Sequence, residues 1–134
     1  MVARARAVTF GFLIWLVAFV AALLISPLRE SARPLFESIM PVVVTVATVV
    51  CGVLYLRKVR SDYLREGILL GALWFAISVI IDLPLMLSGP IEMSLAEYAA
   101  DIGLTYLIIP TVTVGIACAC AEAAGGRREA ATAD

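Results

Sequence analysis

Histidine is absent from the 134 residues. That removes the commonest metal ligand and the side chain that titrates nearest neutral pH. No Ser/His/Asp or Cys/His catalytic set can be assembled, and no phosphate-binding glycine loop occurs, so the chain is expected not to be an enzyme. Charge is also scarce: 16% of residues are charged and the net value is −1, which gives no overall attraction to nucleic acid. Cysteine occurs three times, as Cys51, Cys118 and Cys120, each inside an apolar run. Cys118-Ala-Cys120 is not a redox CxxC, and no spacing suits zinc. The cysteines read as small apolar residues at helix contacts, and neither metal nor cofactor is expected.

What fills the chain instead is aliphatic. Hydrophobic residues make up 63% of it and the mean hydropathy is +1.04, well above soluble-domain composition. A membrane helix needs about 20 predominantly apolar residues, and four stretches qualify: 8–25, 35–56, 67–88 and 98–121. The first begins like a secretory signal, but its apolar run is long for one. Ser26-Pro27-Leu28-Arg29 is also a poor cleavage context, so the segment reads as a retained helix. The expected fold class is all-α: a polytopic membrane protein of four transmembrane helices within residues 1–121, followed by a disordered cytoplasmic tail over 122–134.

Eight of the ten basic residues precede the first span (Arg4, Arg6), lie between the second and third (Arg57, Lys58, Arg60, Arg65) or follow the fourth (Arg127, Arg128). Cytoplasmic loops are enriched in Lys and Arg. This asymmetry therefore places both termini in the cytoplasm of a cell whose inner or plasma membrane holds the protein. The acidic residues Glu30, Glu37, Asp82, Glu92, Glu97 and Asp101 fall in the outer half. Near them, Ser94-Leu95-Ala96-Glu97 has the pattern of a capping box, so the fourth span is expected to begin as a helix above the bilayer. In the central loop, Ser61 and Asp62 are candidate caps for the third span.

The two halves suggest a pair of tandem helical hairpins. Trp15 and Trp74 lie 59 residues apart, and each is followed by a proline near the outer end of its span. Aligning Pro41 with Pro110 also aligns Cys51 with Cys120. A duplicated two-helix unit would insert both copies in the same orientation, as a parallel repeat.

The residue that stands out is Asp82, in "FAISVIIDLPLMLSGP". An ionised group in the bilayer core costs several kcal/mol, and this one lies roughly 8–10 Å below the outer surface at 1.5 Å per residue. Three prolines, Pro41, Pro84 and Pro110, are expected to kink their helices, freeing carbonyls that open polar space between helices. Asp101, Thr105 and Ile108 fall at i, i+4 and i+7 on one helical face, with Tyr98 one turn above, and Asp82, Asp101 and Tyr106 are the ion- or proton-coupling candidates. Arg29 and Arg33 are the candidate charge partners. A structural lock is the preferred reading of this cluster, and proton or cation coupling by a small transporter or channel is the alternative. Gly67 and Gly71 have small-xxx-small spacing, which serves equally inside the bundle or between the protomers of a homodimer. The expected partners are the lipid bilayer and a second copy of the chain.

The segments "REGILLGALWFAISVIIDLPLM" and "MSLAEYAADIGLTYLIIPTVTVGIA" resemble an uncharacterised family of small four-helix integral membrane proteins of bacteria and archaea. The resemblance rests on Glu66, Gly67, Trp74, Asp82, Tyr98, Asp101, Gly103, Tyr106 and Pro110. It implies an integral membrane protein and carries no activity with it. Small multidrug exporters have a similar size, but their hallmark is a glutamate in the first span, and none lies between Val8 and Ile25.

Overall fold

The computed structural model describes residues 3–88 and 94–133. Glu92, named above, and Asp134, the last residue of the expected tail, lie outside the described residues. The described residues fold as helices without a strand: α1 (Arg4–Leu24), a short α2 (Leu28–Ser31), α3 (Arg33–Leu56), α4 (Tyr63–Ser88) and a fourth rod. That rod is built from α5 (Leu95–Tyr98), a π-helical turn (Ala99–Gly103), α6 (Leu104–Tyr106) and α7 (Ile108–Thr132). Four of these units are long and apolar enough to cross a membrane.

The four rods form a ring in which α1 packs on α3 and α4, and α7 packs on α3 and α4. Both chain termini lie at one end of the bundle. The α1–α3 turn lies at the other, here termed the distal end.

Burial is inverted relative to a soluble bundle. Ile80 is 70% exposed and Leu24 77%, whereas Thr48, Ser78 and Thr113 are wholly buried. A continuous aliphatic exterior on this scale belongs in an apolar solvent. In such a solvent helices associate through close packing and hydrogen bonds, because exposed hydrophobes are not driven together. The threonines satisfy their hydroxyls within their own helices: Thr48 Oγ1 donates to the Val44 carbonyl at 2.7 Å and Thr113 Oγ1 to the Pro110 carbonyl at 3.1 Å.

The α4–α7 seam is where the small-xxx-small spacing is used. A Cβ on Gly67 would overlap Ala117 Cβ, and one on Gly71 would overlap Thr113 Oγ1 and stand 2.7 Å from Pro110 Cα. Both glycines are therefore spent inside the bundle.

Several expectations are corrected. Residues 122–132 do not form a disordered tail, because α7 continues to Thr132; their alanines, arginines and glutamates favour helix and offset Gly125 and Gly126. Pro41 and Pro84, expected as kink sites, each lie inside a helix that continues past them. In the fourth rod a break in regular α-helix falls at Leu107, three residues before Pro110, whose ring clashes with the Tyr106 carbonyl four residues earlier. The capping box is present: Ser94 Oγ accepts from the Glu97 N–H at 3.2 Å, and Glu97 Oε2 accepts from the Ser94 N–H at 2.9 Å. At α4, Asp62 adopts a positive φ of 52° and its backbone carbonyl accepts from the Glu66 N–H.

The two tryptophans do not sit at equivalent depths. Trp15 is level with Asp82, while Trp74 lies beside Ala7 and Gly11. Equivalent residues of a parallel repeat would share a depth, so the pairing of Trp15 with Trp74 fails.

Candidate functional site

Asp82 sits in the distal half of α4 and is 3% exposed. It ends a buried ridge of α4 side chains at steps of four residues: Glu66, Leu70, Trp74, Ser78 and Asp82. Residues four apart on a helix lie one above another, so this row faces into the ring. One Asp82 oxygen accepts a hydrogen bond from Trp15 Nε1 of α1 at 3.5 Å, a long contact. Trp15 is itself fixed by stacking on Phe19, with ring centroids 5.0 Å apart.

The phenols of Tyr98 and Tyr106, on the fourth rod, stand near the same carboxylate. In a regular α-helix, residues eight apart point about 80° away from each other. The π-helical turn between them has more residues per turn, which offsets that difference and lets both residues be buried on the same side of the rod. Tyr98 Oη is buried but makes no hydrogen bond among the described residues, and neither does Ser78 Oγ, one turn below Asp82. Burying a hydroxyl without a partner is costly, so these two groups mark a place where polar atoms are under-satisfied.

Above this floor lies a cavity of about 340 Å³. All four long rods line it: Phe19 from α1, Phe36 and Met40 from α3, Asp82 and Met86 from α4, and Tyr106 from the fourth rod. Arg29, Glu37 and Asp101 ring its distal rim.

Asp82, Asp101, Tyr106 and Arg29 are thus brought to one cavity. Arg33 is not among the groups around Asp82. Its guanidinium pairs with Glu37 at 2.7 Å, four residues on in the same helix and exposed on both sides; i,i+4 spacing makes that pairing local and easy. Arg29 instead lies over the face of Phe36, 5.8 Å from the ring centroid. The partner that sequence reasoning missed is Trp15. Trp15 carried a signal, since a buried indole N–H seeks an acceptor, but nothing in the sequence pointed to an acceptor on another helix.

At the terminal end, Glu66 Oε2 accepts from Tyr55 Oη at 3.2 Å, a second buried carboxylate tied to a phenol. No group of three or more Cys, Asp or Glu among the described residues could hold a metal ion. Comparison with family models, with curated proteins and with solved structures found no match.

Proposed function

We propose that the chain is a multi-pass protein of the cell membrane, with both termini in the cytoplasm. In this reading the cavity above Asp82 faces outward and takes up a proton or cation as part of a small transporter or channel. The bilayer is its obligatory partner, nucleic acid has no role, the action is non-enzymatic, and a homodimer is compatible with the apolar exterior. Membership of the small four-helix family belongs to the same proposal, on the residues of the second half already named.

The observation that carries the reading is a nearly buried carboxylate at the floor of a cavity lined by all four long rods, hydrogen-bonded to an indole. A carboxylate kept for stability is best paired with a cation, because burying an uncompensated charge is expensive. Around Asp82 stand the Trp15 indole and the Tyr98 and Tyr106 phenols, while Arg33 pairs with Glu37. Intramembrane acids of this kind mark ion and proton routes.

A second reading, a structural or accessory membrane component, is favoured by a different observation. Trp15 Nε1 bonds Asp82 and Trp74 Nε1 bonds the Ala7 carbonyl at 2.7 Å, two cross-ties between α1 and α4.

Asp82→Asn and Asp82→Ala together separate the two. Asparagine keeps an oxygen for the Trp15 N–H but loses the charge; alanine loses both. In liposomes with a trapped pH dye and an imposed potential, wild-type protein is expected to pass protons and both variants to be silent. A folded, correctly inserted wild type with no flux would sink the proton-path reading. In that case a loss of about 1 kcal/mol or more of stability in Asp82→Ala, spared in Asp82→Asn, would favour the lock.

A further inference from the structure

We infer that the cavity above Asp82 is a binding site for a small organic ammonium ion, one positive charge on an apolar body. The inference rests on the proposed cation-binding role of Asp82 and names the chemical class of the cation.

The lining decides between an inorganic and an organic cation. Calcium is bound by six to eight oxygens, and magnesium by a near-ideal octahedron of them. Here the floor offers one carboxylate, and the walls are Phe19, Phe36, Met40 and Met86. Such walls would strip an inorganic ion of water and replace little of it. An ammonium carried on an aromatic or aliphatic body loses far less on entry, because its body is already apolar. The cavity volume of about 340 Å³ falls near the lower end of the range for small-molecule pockets, about 300–1,000 Å³, enough for a one-ring compound.

Three features supply recognition. Asp82 provides the counter-charge. The aromatic walls provide ring faces, and one of them already holds a cation: Arg29 sits over Phe36, the geometry in which a ring quadrupole attracts positive charge. Tyr106, nearly buried and lining the same cavity, adds a phenol hydroxyl at the floor beside Asp82. Met40 and Met86 add unbranched, polarisable surface that adapts to different ligand shapes.

The test is calorimetric titration of the full-length protein in detergent with benzylammonium, benzyltrimethylammonium and the neutral benzyl alcohol. Both cations are expected to bind saturably, and benzyl alcohol at least about tenfold more weakly. Asp82→Asn should weaken the cations about tenfold or more and leave benzyl alcohol unchanged. Phe36→Leu, a half-buried position outside the core, should weaken the cations several-fold and keeps the test decisive if the Asp82 variant does not fold. Equal affinity for the cations and the alcohol, cation affinity unaffected by Phe36→Leu or Asp82→Asn, or no saturable binding of either cation would each overturn the inference. Proton flux in liposomes without ammonium binding would leave Asp82 as a proton site and remove only the organic ligand; ammonium binding without flux would do the reverse.

Discussion

Trp74→Ala is expected to destabilise the detergent-solubilised protein by about 3 kcal/mol or more. Trp74 is fully buried, and its ring lies against Gly11 of α1, where an added Cβ would stand 2.7 Å from Trp74 Cδ1. Truncation leaves a cavity that the close-packed α1 and α4 backbones have little freedom to fill. It also removes the donor to the Ala7 carbonyl. In an apolar solvent the transfer component of the loss shrinks, and the forfeited dispersion contacts and hydrogen bond dominate. Trp74→Phe isolates the hydrogen bond. It keeps most of the ring volume and should cost about 1–2 kcal/mol. Reversible unfolding in mixed micelles measures both. A Trp74→Ala variant as stable as wild type would mean that α1 and α4 are not held together by this contact.

Gly71→Leu should be at least as damaging, by the opposite mechanism. Thr113 Oγ1 and Pro110 Cα occupy the space where its Cβ would lie. Pro110 is backbone and cannot rotate away, so α4 and α7 must separate along their whole seam. The expected outcome is failure to accumulate as a folded bundle, whereas Gly71→Ala, a smaller overpacking, should cost about 1–3 kcal/mol. Gly115 provides the control. Nothing lies within 4 Å of a Cβ built there, so Gly115→Ala should be neutral or stabilising by up to about 1 kcal/mol through helix propensity. Size-exclusion profiles and thermal unfolding of the three variants distinguish a packing seam from a general intolerance of substitution. If Gly71→Leu behaves like Gly115→Ala, the seam is not as tight as described.

These two sites also show how far sequence reasoning reaches. The Gly67–Gly71 spacing announced close helix approach, because small residues four apart form a continuous flat strip on any helix. Which helix would occupy the strip was not contained in the spacing. Similarly, Ser94 and Glu97 specify their capping box locally, since both partners lie within one turn. The helical course of residues 122–132 was hidden by their polarity, which resembles a disordered tail, although alanine and arginine favour helix.

The cluster around Asp82 divides in the same way. Its carboxylate was conspicuous because a charge among aliphatic residues is costly. Asp101, Tyr106 and Arg29 were drawn to it by depth alone, a quantity that counting residues along a helix provides. Arg33 pairs with Glu37 on its own helix: depth does not specify azimuth, and a neighbour four residues on is the easier partner. Trp15 escaped notice for the same reason.

The sequence by itself determined the four apolar rods, the all-helical class, the asymmetry of basic residues and the presence of an intramembrane acid, since each is a property of composition or of spacing within one helix. Only the tertiary structure decided the order of rods around the ring, the different depths of Trp15 and Trp74, the pairing of Asp82 with an indole and the cavity above it. Rotation of one helix about its axis relative to another depends on how their side chains interlock. In the fourth rod it depends further on a π-helical turn that shifts the register of Tyr106 against Tyr98.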